Sequence, residues 1–293
     1  MARFALSAFA DEAGSTIEEQ ISALVDNGIG YIEPRNISSK PILTLTDEEL
    51  FEIKAKLDAA GIKVGSLGSP IGKYPIDKDF EPHIADFRRA LRVCEILGTK
   101  NMRMFSFFVE QDELEKHRDE VIRRLRELTD IAKEHGVRLC HENESKIYGQ
   151  MPKEVEELLK ANPDLYGIFD PANYRMNDAD IMDGINATFE RFAYMHIKDA
   201  IYESQTIVPA GEGEGRIPEV IEMVNAHTDE LVYLTLEPHL HIFDAYKGID
   251  DHELKGAYTF NNSREAFDFA VGALTKILEN NGYKRSDDNT WIK

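Results

Sequence analysis

The chain has 293 residues, a length that suits one α/β barrel of about 250 residues with extended loops. Its formal charge of −20, from 54 acidic against 34 basic residues, excludes a general nucleic-acid binder, because phosphate contacts need Lys and Arg clustered on one face. Hydrophobic residues make up 42% and are regularly interrupted by charge, and no apolar run approaches the roughly 20 residues of a membrane span, so neither a membrane nor a nucleic acid is expected as partner.

The first element is RFALSAF, Arg3 to Phe9. MARFALSAFADE reaches acidic residues after about ten positions and has no basic n-region ahead of a long apolar stretch, so it reads as a strand and not as a signal peptide. STIEEQISALVDNG follows, with a Ser15/Thr16 cap, apolar residues at Ile17, Ile21 and Leu24, and a stop at Gly28; that is one βα unit. The second unit is Tyr31 to Glu33 then Asp47 to Ala60, and the third is Ile62 to Ser69 then Pro82 to Leu97. Lys100 to Phe107 precedes a long helix, Asp112 to His135, and Val137 to Glu142 precedes Pro152 to Lys160. Leu165 to Asp170 precedes Ala179 to Asn186, Phe192 to His196 precedes a long loop and a helix near Pro218 to Ala226, and Leu231 to Glu237 precedes Ser263 to Asn280.

Eight strands alternating with eight helices, with no Pro/Gly/Ser-rich linker between them, predict a single α/β domain over residues 1–293 folded as a (β/α)8 TIM barrel. An open doubly wound sheet is the runner-up, but AFADEAGS after the first strand does not fit GxGxxG. Cys94 and Cys140 read as buried free thiols of a cytoplasmic protein.

Barrel active sites form at the C-terminal ends of the strands, and five of these strands end on a carboxylate or an imidazole: Glu33, Glu142, Asp170, His196 and Glu237. Asp170, which precedes Pro171, also has the sequence of a helix cap. Four such residues in register across consecutive units nevertheless predict a shared metal site of Glu142, Asp170, His196 and Glu237. Three hard oxygen donors and one imidazole suit one divalent ion, Mn2+ best, with Mg2+, Co2+ and Zn2+ also accommodated. Such an ion polarises a carbonyl and eases loss of a proton from the neighbouring carbon. A pair of carboxylates beside it can serve as acid and base.

GVRLCHEN, GIFDPANY, YMHIKDA followed by GEGEG, and TLEPH carry a resemblance that spans nearly the whole chain. With these motifs the chain resembles the sugar phosphate isomerase/epimerase family, the xylose isomerase-like barrels that include the ketose 3-epimerases. The His196-x-Lys198-Asp199 piece and the Gly211 to Gly215 loop are its most specific parts. The resemblance implies a metal-dependent sugar isomerase or epimerase, with Glu142, Asp170, His196 and Glu237 as ligands and Glu142 and Glu237 also as the two acid/base groups. The chain departs from the 3-epimerases at three substrate-gripping positions, having Tyr148, Asn173 and Tyr202 where they carry Glu, His and Arg.

Candidate substrate contacts are Glu33, Lys73, Arg103, Asn173, Lys198 and His239, with Lys73 and Arg103 suited to an oxyanion and an Arg103–Glu33 ion pair as the alternative for the arginine. The partner expected is a small-molecule sugar, with a homo-oligomer as the assembly. The resemblance extends to the catalytic subunits of C-glycoside deglycosidases and related keto-sugar lyases, which implies an alternative of elimination from the same site with a small β-rich partner subunit. A non-catalytic sugar-binding barrel and an endonuclease IV-like phosphodiesterase are the remaining readings. The latter needs further histidines on the second and third strands, which end in YIEPR and LGSPIGK.

Overall fold

Parallel strands and helices alternate through the computed structural model, which describes residues 1–241 and 258–293. The sequence of elements is β1 (Arg3–Ala8), α1 (Ile17–Asp26), β2 (Tyr31–Ile32), α2 (Asp47–Ala59), β3 (Lys63–Val64), α3 (Glu81–Leu97), β4 (Asn101–Met104), α4 (Leu114–Glu134) and β5 (Arg138–Glu142). It continues with α5 (Pro152–Ala161), β6 (Leu165–Phe169), α6 (Pro171–Met176), α7 (Ile181–Phe189), β7 (Phe192–Ile197), α8 (Ile217–His227), β8 (Leu231–Leu236) and α9 (Ser263–Asn280).

The strands close into a ring. β1 pairs with β8 along its whole length, from Arg3↔Leu231 to Ala8↔Leu236, and β8 pairs with β7, β7 with β6, β6 with β5 and β5 with β4, all parallel. Leu67, past the end of β3, bridges to Met102 of β4, and β3 pairs with β2. The amide of Glu33 closes the circuit by donating to the Ala8 carbonyl at 2.9 Å. Most strand residues are buried on both faces, fully so in β4, as a barrel wrapped in helices requires. A C-terminal hairpin, Lys284–Arg285 and Thr290–Ile292, lies antiparallel to the first half of β1 at Phe4↔Trp291.

Local chemistry sets the element boundaries. Thr16 with Glu19 and Thr46 with Glu49 form capping boxes at α1 and α2, so two orphan amides of each helix start are satisfied reciprocally. α3 opens with Pro82 in its first turn and ends on Gly98 in the left-handed region. β2 and β3 are shorter than their apolar runs suggest, because Pro34 has no N–H for the ladder and Gly65 and Gly68 lack side chains to pack on a pleated surface. The loop after β7 carries its own antiparallel hairpin, Asp199–Ile201 with Thr206–Val208. Cys94 and Cys140 are free and buried, and burial pushes the Cys140 thiol up to about 12. No helix among the described residues is long and apolar enough to cross a membrane.

Candidate metal centre

Strand register delivers the four polar strand ends to one place. Glu142 is the last residue of β5, opposite Ile168 of β6; Asp170 follows β6 directly; His196 in β7 pairs with Thr235 of β8; and the amide of Glu237, one step past β8, donates to the Ile197 carbonyl at 3.2 Å. All four are buried, and one ligand atom from each lies within 4.8 Å of the others. The Nδ1 atom of His196 is the hub: it stands 3.1 Å from Glu142 Oε1, 3.3 Å from Glu237 Oε2 and 3.9 Å from Asp170 Oδ2. Three carboxylate oxygens gathered round one ring nitrogen, out of water, form a donor set that fits a divalent ion.

The carboxylates are also held by buried cations. Arg103 reaches Glu142 Oε2 at 3.1 Å, and Lys198 lies 2.9 Å from Asp170 Oδ2 and 3.4 Å from Glu237 Oε2. Arg35 bonds Glu237 Oε1 at 2.8 Å, Glu12 at 2.9 Å and Asp11 at 2.9 Å, with its guanidinium over the Phe9 ring. These neighbours decide each titration. Burial pushes the Glu142 carboxyl up, but His196 and Arg103 outweigh it and bring the group down to about 2. Glu237 is likewise held well below the usual range, its burial outweighed by Lys198 and by hydrogen bonds from His196 and His239. Asp170 moves the other way, to about 6, because burial and the charges of Glu142 and Glu237 exceed the help it draws from Lys198. His196 is pulled down by burial and pushed well above its ordinary value by the surrounding carboxylates. Without a metal, the imidazolium is therefore the cation that the cluster recruits.

The other sequence candidates lie at different distances from the cluster. Lys198, Asn173 and Arg103 touch the cluster, Asn173 through a 3.3 Å hydrogen bond to Glu142 Oε1. The alternative pairing of Arg103 with Glu33 does not form; Arg103 goes to Glu142, while Glu33 accepts from Tyr194 Oη at 2.8 Å. His239 sits beside Glu237, 3.4 Å from its Oε1, on a backbone with φ of +46°. Lys73 stands at the rim, 3.1 Å from Glu144 and 4.5 Å above the Phe105 ring, so its charge is already paired. Tyr148 and Tyr202 leave the site: the first donates to Glu157 on α5, and the second is exposed with the Arg175 guanidinium over its ring.

One feature escapes a reading of strand ends. Arg35, with Asp11 and Glu12, is brought to Glu237 from 202 positions away in the chain; the available signal was polar FADE and EPR immediately after β1 and β2. Asp170 combines the two roles its sequence offered, since Oδ1 caps α6 by accepting from the Asn173 amide at 2.9 Å while Oδ2 faces the cluster. Asp199, beside Lys198, accepts from the amides of Gly211, Gly213 and Gly215 at 2.9, 3.1 and 2.8 Å. A Cβ on Gly213 or Gly215 would strike that carboxylate, so the GEGEG loop wraps the residue next to the buried lysine.

A family model for the xylose isomerase-like TIM barrel matches residues 21–251. The chain belongs to that family. Solved structures of the same fold include the zinc-bound IolI protein, 16% identical over 95% of this chain and 98% of that one, with a TM-score of 0.73. The probable 3-DHS dehydratase AsbF of Bacillus anthracis, involved in petrobactin synthesis, is 15% identical over 94% and 99%, with a TM-score of 0.71. D-Psicose 3-epimerase of Clostridium cellulolyticum, solved with D-tagatose, is 15% identical over 94% and 98%, with a TM-score of 0.67. No curated protein sequence matches the chain. The relationship to these structures is one of fold, and membership of the xylose isomerase-like family rests on the matched residues.

Proposed function

We propose that this xylose isomerase-like barrel is a divalent-metal-dependent sugar isomerase or epimerase that moves a proton at the carbon next to a carbonyl. The observation that carries the reading is the convergence of Glu142, Asp170 and Glu237 oxygens on His196 Nδ1 inside the barrel mouth. A divalent ion held by these four side chains, Mn2+ by preference with Mg2+, Co2+ or Zn2+ as substitutes, supplies polarisation of the substrate carbonyl.

Proton movement is assigned to the protein. Glu142 and Glu237 are kept below the ordinary carboxylate range, so each enters turnover deprotonated and able to accept a proton from carbon. They come from β5 and the end of β8: the carboxylate that takes the proton from carbon can return that same proton, whereas return by the other carboxylate, as inversion at that carbon requires, needs that group first to gain a proton from solvent or a substrate hydroxyl. Arg35 fixes one oxygen of Glu237 and Arg103 one oxygen of Glu142, while Lys198 spans Asp170 and Glu237. Lys198, Asn173 and His239, with Lys73 at the rim, are the groups placed to orient sugar hydroxyls. The three positions at which the 3-epimerases grip a free ketose are changed, and Tyr148 and Tyr202 point elsewhere. Poor turnover of D-fructose, D-psicose and D-tagatose, and better turnover of a modified sugar, are expected.

The same change favours a second reading, elimination from a keto sugar, because elimination starts with the same proton loss and then expels a group from the adjacent carbon. The isomerase ranks first because proton transfer needs only the carboxylates in view. The reading carries a cytoplasmic enzyme that self-associates, or that joins a small β-rich subunit if elimination is the reaction. The test is incubation of the purified protein with Mn2+ in deuterated water with ketoses, sugar phosphates and 3-keto glycosides, followed by NMR. Deuterium beside the carbonyl with carbon connectivity kept supports the proposal; a released aglycone reverses the ranking, and neither product removes both.

A further inference from the structure

Glu33 directly follows β2, a strand that does not neighbour β7, and its side chain is fully buried. Its Oε1 accepts from Tyr194 Oη at 2.8 Å, and the same phenol oxygen lies 2.9 Å from Ser66 Oγ. The phenol has one proton, and the anion is the stronger acceptor, so Ser66 is left to donate back to Tyr194. That directed chain fixes one edge of the Glu33 carboxylate.

The other edge faces the metal centre. His196 stands two residues beyond Tyr194 on the same face of β7, and its Nε2 atom lies 3.6 Å from Glu33 Oε2. Neither atom has a hydrogen-bond partner among the described residues. A buried acceptor and a buried ring nitrogen are each costly to leave unsatisfied, and a few tenths of an ångström of adjustment joins them to each other. Nδ1 of the same ring already points at Glu142, Glu237 and Asp170.

We infer that Glu33 is a positioning residue of the metal centre: it accepts the Nε2–H of His196, which fixes the tautomer whose Nδ1 lone pair is offered to the metal. A carboxylate behind a ligating histidine orients the ring and raises its basicity. Glu33 is thereby distinguished from the residues that orient sugar, because its two oxygens are committed to Tyr194 and His196. The inference rests on the reading of Glu142, Asp170, His196 and Glu237 as ligands.

The test is calorimetric titration of the metal-free protein with Mn2+ for wild type, Glu33→Gln and Glu33→Asp, alongside their metal-free melting curves. Glu33→Gln keeps the shape and removes the anion, so the Kd for Mn2+ is expected to weaken by about 10- to 100-fold, beyond any change in the metal-free melting temperature. Glu33→Asp keeps the charge at shorter reach and is expected to fall between the two. A purely structural role would lower the metal-free melting temperature and leave the Kd alone, so the Kd is the readout that decides. Variants that bind Mn2+ as tightly as wild type overturn the role of Glu33, whereas a wild type that binds no Mn2+ overturns the metal reading itself. Should Glu33→Gln not fold, the Kd of Glu33→Asp decides between the same outcomes.

Discussion

Replacing Arg35 by Met exposes how much of the site depends on a cation the protein supplies for itself. The guanidinium lies 2.9 Å from Asp11, 2.9 Å from Glu12 and 2.8 Å from Glu237, with every partner buried. Removing one member of a buried ion pair costs about 3–5 kcal/mol, because the charge left behind stays out of water. Methionine fills much of the volume and none of the charge, so that range applies here. For a chain of this size each kcal/mol shifts the melting temperature by roughly 2–4 °C, which gives a fall on the order of 10 °C at pH 7. Acidification should shrink the deficit. Burial already raises the Glu12 carboxyl, and Arg35 is one of the charges that holds it down, so in the variant it takes up a proton at higher pH and ceases to be a buried anion. The assay is a pair of melting curves for each protein at pH 7 and pH 5. A second readout follows from geometry: Glu12, Glu237 and His239 have ligand atoms within 4.8 Å of one another, and Arg35 bonds two of the three. Wild type should bind one equivalent of Mn2+, and Arg35→Met should gain a second. A variant that melts with wild type at pH 7 and keeps one equivalent would refute the reasoning.

Glu142→Gln and Glu237→Gln should each lower turnover by roughly 10²- to 10⁴-fold with the fold intact, provided that parallel Mn2+ titrations show the metal still bound; near-normal turnover of both loaded variants removes their acid/base roles. Saturating Mn2+, at about 100 times its Kd, should stabilise the protein by about 2.7 kcal/mol, and a chelator should reverse the rise in melting temperature. His196 is raised well above its ordinary value in the metal-free fold, so its charge contributes stability that is complete below the unfolded pKa and is lost as pH rises through the folded one. Mn2+ needs the neutral ring and must displace that proton, so affinity should increase with pH and binding near pH 7 should release about one proton. Calorimetry in two buffers of different ionisation enthalpy measures this, and a pH-independent Kd with no proton release counts against it.

The alternation of elements was legible because each barrel strand is an apolar run that stops abruptly, and the stops at Glu142, Asp170, His196 and Glu237 are the polar residues that meet in space. Register made that inference transferable: neighbouring parallel strands end at one level, so a polar residue at each end implies a shared mouth. β2 and β3 were harder to delimit, since Pro34, Gly65 and Gly68 break the ladder inside runs that look apolar. α6 was missed because it occupies only Pro171–Met176, less than two turns, and is set by the Asp170 cap rather than by periodicity. Arg35 was not legible as a site residue, because a charge following a strand has no visible partner when that partner lies 202 residues on. Glu33 was visible as a polar strand end, but its neighbours Tyr194, in β7, and Ser66, in the segment after β3, are brought to it only by the fold, and only the folded chain shows that it backs His196.

The central claim is that Glu142, Asp170, His196 and Glu237 hold one divalent ion. Its most direct test is anomalous diffraction at the manganese edge from crystals of the protein grown metal-free and soaked in Mn2+. The account predicts a single strong peak about 2.0–2.6 Å from a carboxylate oxygen of each acid and from Nδ1 of His196. A map with no peak among these four residues, or with its peak between Glu12 and His239 instead, would contradict it.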